Sequence, residues 1–203
     1  MGIYNNCLLP LSINWLLGRK IFLRQRKLVT KELKGIVLEV GFGTGLNLPY
    51  YPDGVKKVYA VDPCEFGRRL AAKRINNCCV PVEFVGLDGE DIPLRSKSVD
   101  VVLSTWTLCT IPGVSNALRE LWRVLKSNGR LYFIEHGVSP DADVAKWQHR
   151  LNPLQKVVAG GCQLNREIDK LINGAGFHID VMNNFYMNGP SFCSYMYKGV
   201  ARK

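Results

Sequence analysis

Hydrophobic and polar positions along this 203-residue chain follow two rhythms. Short, largely apolar runs recur at Ile36–Val40, Val58–Val61, Val82–Val85, Val99–Leu103 and Leu131–Ile134. Between them lie stretches with helical spacing, Phe66–Ile75 and Val114–Leu125, the second placing Ala117, Leu118, Leu121, Val124 and Leu125 on one face. Parallel strands read as apolar runs because both of their faces are covered. Such strands alternating with helices predict a doubly wound α/β sheet with helices on both faces. Lys126-Ser127-Asn128-Gly129 predicts the end of the second helix in an Asn-Gly turn.

The C-terminal third predicts a helix over Ala142–Leu151 that stops ahead of Pro153. A second helix is predicted over Arg166–Asn173, with Asn165 as N-cap and Gly174 and Gly176 beyond its end. Phe177–Met182 and Ser194–Val200 read as two last strands, antiparallel to each other. At the other end, Cys7–Leu17 is apolar but interrupted by Pro10 and shorter than the ~20 residues of a spanning helix. Arg19, Lys20, Arg24, Arg26, Lys27, Lys31 and Lys34 follow it. This segment predicts a basic amphipathic helical cap over residues 1–34, packed on a single globular unit over 35–203 and able to touch anionic lipid.

Composition narrows the class. Hydrophobic residues make up 47% and charged residues 22%, a balance that excludes wholesale disorder. Lys and Arg outnumber Asp and Glu by 27 to 17, a net charge of +10 that invites an anionic partner. No zinc-finger spacing and no RNP pattern accompany that charge, so nucleic acid is not expected as a partner. The seven cysteines are odd in number and include no C-x-x-C pair, with Cys78 and Cys79 adjacent. They read as reduced thiols in a cytoplasmic protein, with no metal site.

The candidate chemistry starts at Val37-Leu38-Glu39-Val40-Gly41-Phe42-Gly43-Thr44-Gly45, where a strand runs into a glycine-rich turn. A dinucleotide fingerprint would need glycine at position 46, which is Leu46. A carboxylate at Glu39 opposes a pyrophosphate and suits a ligand with an ammonium group. A tight strand–helix turn explains the glycines alone equally well. Asp62, in Val61-Asp62-Pro63 at the tip of the second strand, stands where an acid accepts from ribose hydroxyls; it also suits helix capping.

In these residues the chain resembles the class I S-adenosylmethionine-dependent methyltransferases. Glu39 to Gly45 resembles their first motif, and Asp62 their ribose-binding acid. Gly86-Leu87-Asp88-Gly89-Glu90-Asp91-Ile92-Pro93 is similar to the third-strand motif, Ser98 to Ser104 to the fourth, and Arg123 to Leu131 to the approach to the fifth. The resemblance implies a seven-stranded sheet with an antiparallel last strand and S-adenosylmethionine as cofactor. It implies that Glu39 holds the methionine ammonium and that Gly41, Gly43 and Gly45 bring backbone to the cofactor. Asp62 and Pro63 would lie at the ribose, Asp88, Gly89 and Glu90 around the adenine, and Ser104 and Thr105 beside the methyl donor. Glu135-His136, Trp147-Gln148, Leu151-Asn152-Pro153, Gly161-Cys162, Leu164 to Glu167 and Ala175 to Phe177 resemble the subgroup with the membrane-associated thiol S-methyltransferases and small bacterial relatives.

The acceptor expected is therefore a small molecule, a thiol or a lipid-like compound, with no obligate protein partner. His136 at the end of strand five is a candidate base, or it packs and caps the next loop. Trp147, Cys162 and Arg166 are candidates for an acceptor-side lid. The alternatives are a non-catalytic S-adenosylmethionine-binding module, an RNA methyltransferase and a nicotinamide-dependent oxidoreductase. The missing glycine at position 46 opposes the last of these. Ser104-Thr105-Trp106-Thr107, where a base-modifying enzyme carries N/D-P-P-Y/F, opposes the second.

Overall fold

The computed structural model describes residues 7–86 and 88–203. The first six residues of the expected cap, and Leu87 of the third-strand motif, lie outside the described residues. Two helices, α1 (Leu9–Leu17) and α2 (Lys20–Thr30), lead into β1 (Gly35–Val40). There follow β2 (Val55–Val61), α3 (Glu65–Asn76), β3 (Val82–Gly86), β4 (Val99–Thr105), α4 (Val114–Val124) and β5 (Leu125–His136). The chain ends with α5 (Ala142–Val158), α6 (Ile168–Gly174), β6 (His178–Tyr186), α7 (Ser191–Ser194) and β7 (Tyr195–Arg202).

The strands form one seven-stranded sheet in the order β3-β2-β1-β4-β5-β7-β6. β1 runs parallel to β2 and β4, while β7 runs antiparallel to β5 and β6. Side chains alternate between the two faces of a strand, and here both faces are buried. Leu38, Val40, Val102, Leu131 and Phe133 point to the side that holds Leu118 and Leu121 of α4 and Ile168 and Ile172 of α6. Val37, Val58, Ala60, Val101, Leu103 and Ile134 pack on the other side with Val29, Leu33 and Ala71. Each fully buried Val or Leu contributes roughly 1.5–3 kcal/mol, which is why these runs carry so few polar residues. β1 lies where the strand order reverses, and in open α/β sheets the crevice at the carboxyl ends of such strands takes the ligand.

Several boundaries differ from expectation. The described part of the segment expected as a cap holds two helices: Gly18 ends α1 with its N–H on the Asn14 carbonyl, and Arg19 is extended. No Asn-Gly turn follows α4, because Leu125 starts β5 directly. Lys126 instead binds Asp100 at 2.6 Å, in a part of the β4–β5 ladder where the register shifts. Helix α6 starts at Ile168 without a side-chain cap. Asn165 is engaged with the ring nitrogen of His149 at 2.9 Å, so it does not cap that helix.

Helix α5 runs on through Pro153 to Val158. A proline inside a helix removes one ladder bond, here to the carbonyl of His149, and the turns on either side carry the helix past it. Asp141 caps its start by accepting from Asp143 and Val144 N–H. Because Pro153 is exposed, Pro153→Ala restores the missing bond without a packing cost. The last turn of α5 should then gain about 1–3 kcal/mol. Amide exchange of Gln155 to Val158 should slow accordingly, and unchanged exchange would show that the proline costs this helix nothing.

Candidate active site

A cavity of about 720 Å3 opens at the carboxyl ends of β1, β2 and β4. Its floor is the turn after β1, where Gly41, Gly43 and Gly45 all have φ between 56° and 73°. Side chains other than glycine rarely adopt that region, and a Cβ on Gly41 would run into the Thr107 side chain. Gly41 and Gly43 line the cavity, whereas Gly45 shapes the turn by donating to the Phe42 carbonyl.

Asp62 lines the cavity at the tip of β2. Its two oxygens accept from Gly43 N–H and Cys64 N–H, both at 2.7 Å, so the acid ties the glycine turn to the start of α3. Burial raises its pKa, and those two backbone donors oppose the rise. The helix itself is capped by Cys64, whose sulfur accepts from Gly67 N–H. Pro63, Asp88, Gly89 and Glu90 complete this side of the wall. Glu90 accepts from Gly113 N–H at 2.8 Å, and Asp88 accepts from Glu90 N–H at 2.8 Å.

Glu39 is not on the cavity wall. Its carboxylate is 1% exposed and is taken up by the Asn47 amide at 2.7 Å and the Tyr51 hydroxyl. The wall carries instead Arg26 of α2, one of the basic residues of the expected cap. Its guanidinium donates to Asn47 Oδ1 at 2.8 Å and Thr105 Oγ1 at 2.9 Å and lies over the Trp106 ring at 4.9 Å. Burial lowers its pKa to about 10, with Glu39 opposing that shift. A signal for it was present: Arg26 sits four residues after Phe22 and three before Val29, on the apolar face of α2 rather than the basic one.

The other expected residues divide. Thr105 reaches the wall; Ser104 points away, its hydroxyl donating to Glu135 at 2.7 Å. Glu135 also accepts from Thr107 N–H and Cys109 N–H, so it holds the segment after β4 in place. His136 is 4% exposed and does not line the cavity. Trp147 is 53% exposed with Arg150 over its ring, and it does not line the cavity. Arg166 donates to the carbonyls of Leu108 and Ile111, a brace behind the wall. Cys162 stands beside the wall-lining Gly161, and its hydrogen-bond contact with Cys109 pulls its pKa down. The remaining closure was not foreseen residue by residue: Leu9, Ile13 and Leu17 of α1 cover the opening, and Asn14 contacts Thr44 at 2.7 Å.

A second depression, of about 840 Å3, lies at the opposite edge of the sheet beside Gly35, Asp100 and Arg130. Of its two acids, Asp100 is committed to Lys126 and to the Ile36 N–H, and Glu32 pairs with Lys31.

Left-handed glycines, a ribose-spaced acid and a buried cation suit a ligand that joins a nucleoside to an amino acid. Comparison with known proteins gives the class. Residues 38–133 match the family model described as a methyltransferase domain. The thiol S-methyltransferase TMT1B of Rattus norvegicus is 38% identical over 170 residues, covering 78% of this chain and 69% of the relative. Among solved structures, a Thermotoga maritima S-adenosylmethionine-dependent methyltransferase superposes with a TM-score of 0.69 at 22% identity, over 99% of this chain and 97% of the other. A Haemonchus contortus phosphoethanolamine N-methyltransferase, solved with S-adenosylhomocysteine, superposes with a TM-score of 0.74 at 14% identity, over 96% and 57%. The fold is thus that of the class I methyltransferases. The chain belongs to the S-adenosylmethionine-dependent methyltransferase family, in the subgroup that includes the thiol S-methyltransferases. It spans about two thirds of the length of the curated relatives it matches.

The buried pair makes a pH prediction. Desolvation raises Glu39 from 4.5 to about 7, so between those values the folded state keeps a proton that the unfolded chain has released. Stability from this group therefore falls as pH rises from about 4.5 to 7 and is level above that. Chemical denaturation at a series of pH values should show a shallower decline for Glu39→Gln than for wild type. Parallel curves would place Glu39 in an ordinary ionised state.

Proposed function

We propose that this methyltransferase acts on a small, apolar thiol bound in the same cavity as the cofactor, and that residues 1–34 act as the cap of that cavity. The observation that carries the reading is the chemistry of the wall. Beside the glycine turn it presents Leu9, Ile13, Leu17, Trp106 and Ile111, with three acids and Arg26 as the one cation among the described residues. A wall of that kind opposes a phosphate-bearing acceptor and suits a neutral apolar one. The thiol S-methyltransferase relative supports the thiol itself.

S-adenosylmethionine, when bound, supplies a methyl group already activated on a sulfonium. The protein's part is position and dryness. The glycine turn leaves backbone open to the ligand, and Asp62 has lone pairs left for ribose hydroxyls. Asp88, Gly89 and Glu90 form the adenine side. Arg26 is placed to take the amino-acid carboxylate, with Asn47 and Thr105 holding the guanidinium and Glu39 balancing its charge through Asn47. Glu39 thus supports the methionine end through Arg26 rather than by meeting the ammonium itself. Thr105 flanks the reacting end. A thiol with a pKa near 8.5 is partly ionised at neutral pH, so the acceptor needs no histidine on the wall.

Calorimetric titration with S-adenosylhomocysteine should give one-to-one binding. A hydrogen bond to a charged group contributes about 1.5–3 kcal/mol, so Arg26→Ala and Asp62→Asn should each weaken it about ten- to a hundredfold. In an acceptor screen small thiols should be methylated and matched alcohols and amines not. Turnover of the amines alone would replace the thiol reading, and binding without any turnover would favour a cofactor-sensing module.

We also propose peripheral contact with an anionic membrane. Leu8, Leu11 and Leu16 on and beside α1 are exposed, Trp15 is 71% exposed, and Leu154 and Val157 of α5 are 62% and 72% exposed. Arg19 and Lys20 flank that surface. No helix among the described residues is long and apolar enough to cross a membrane, so the contact would be interfacial. The protein should pellet with phosphatidylserine vesicles and do so less when Trp15 and Leu11 are replaced by Ser. Wild type that stays in the supernatant would overturn the proposal.

A further inference from the structure

Behind the cavity wall, three groups that methyl transfer does not use come together. Cys109 follows β4, His136 ends β5, and Cys162 lies in the loop after α5. The sulfurs of Cys109 and Cys162 are 3.6 Å apart, and Cys162 Sγ is 3.5 Å from His136 Nδ1. All three donor atoms fall within 4.8 Å of one another. Cys109 is 1% exposed and His136 is 4% exposed. His136 Nε2 has no hydrogen-bond partner, and Nδ1 is the nitrogen that faces the Cys162 sulfur. The ring nitrogen at the cluster is thus engaged only by thiol groups, which leaves it able to ligate a metal between them.

We propose that Cys109, His136 and Cys162 form a zinc site with an exogenous ligand in the fourth position. Zinc bonds of about 2.3 Å to sulfur and about 2.0 Å to nitrogen, arranged tetrahedrally, set sulfur about 3.8 Å from sulfur and about 3.6 Å from nitrogen. The two short edges of the cluster agree with those spacings to a few tenths of an ångström, and binding would draw in the remaining edge, between Cys109 and His136, which is at most 4.8 Å. Two thiolates and an imidazole select zinc over magnesium or calcium, which take oxygen. As the metal binds, each cysteine releases its proton to solvent. The two thiolate charges then balance the ion, and no net charge is left buried.

The ligands are held in place independently of the ion. Cys109 N–H donates to Glu135, and the Cys109 carbonyl accepts from Gln163 N–H at 2.9 Å. Sequence spacing concealed the site because its members come from three separate segments and include no C-x-x-C. Bound zinc would pin the loop of Ala159, Gly160 and Gly161 to the segment of Thr107 and Thr110, and all five of these residues line the cavity. The site would therefore stiffen the cavity wall, and the inference does not depend on which acceptor the enzyme uses.

The test uses reduced, full-length protein titrated with zinc against a chromophoric chelator. One zinc per chain should be withdrawn, and cobalt in its place should give tetrahedral visible bands with a thiolate charge-transfer band. Cys162→Ser and His136→Ala should lose those bands, whereas Cys79→Ser, which replaces an exposed cysteine, should keep them. Folded wild type that withdraws no zinc would overturn the proposal whatever the variants do. So would a cobalt spectrum unchanged in Cys162→Ser, or a Cys109–Cys162 disulfide that forms in air with zinc present.

Discussion

A guanidinium buried between a helix and the carboxyl edge of the sheet is the constraint on which this site depends. Arg26 is 4% exposed, and the acid that balances it, Glu39, is 1% exposed. Removing two charges from water costs several kcal/mol each, and their attraction offsets this only where geometry and hydrogen bonding are complete. Asn47 provides that completion by accepting from Arg26 while donating to Glu39, with Thr105 taking a further bond. Swinging α2 away would leave Glu39 buried without its cation. The helix is therefore part of the cavity wall, and α1, joined to it through Gly18 and Arg19, is held over the opening.

The segment after β4 is organised by a second buried acid. Glu135 accepts from a serine hydroxyl on β4 and from the N–H groups of Thr107 and Cys109. Those bonds hold a turn in which Trp106 has a φ of 54°, unusual for so large a side chain. Trp106 in turn meets Phe22 edge-on at 5.3 Å and lies beneath Arg26 at 4.9 Å. Two acids at the ends of β1 and β5 thus bear on one patch from opposite sides, with Thr105 and Trp106 between them.

What the sequence disclosed follows from where its signals are local. Apolar runs marked the parallel strands because both faces of each are covered, and the glycines marked the turn because only they reach its φ values cheaply. The place of Asp62 on the cavity wall was readable because it stands at a strand tip. For Glu39 the same motif does not reveal that Asn47 and Tyr51 hydrogen-bond its oxygens. Arg26 was hidden among seven basic residues and distinguishable only by its helical face. Pro153 stopped the predicted helix because local propensity cannot register the turns that carry α5 past it. The Cys109, His136 and Cys162 cluster depends wholly on tertiary placement, since strand ends and a distant loop meet only in the folded chain.

The overall charge of +10 and the character of the cavity point in opposite directions. Asp62, Asp88 and Glu90 line the wall against the single guanidinium of Arg26, so the site carries a net negative charge on a basic protein. Arg26 lies at the helix that closes the cavity, while the acids stand across the ends of β2 and the turn after β3. In the proposed placement a carboxylate at one end meets Arg26, and the net negative wall at the ribose and adenine attracts the positive sulfur from a distance. Loss of the positive charge at sulfur, the change that methyl transfer brings, weakens attraction to the acids while leaving the carboxylate contact intact. The electrostatics therefore favour the charged donor over its neutral product, and the basic exterior remains available for the surfaces the protein meets.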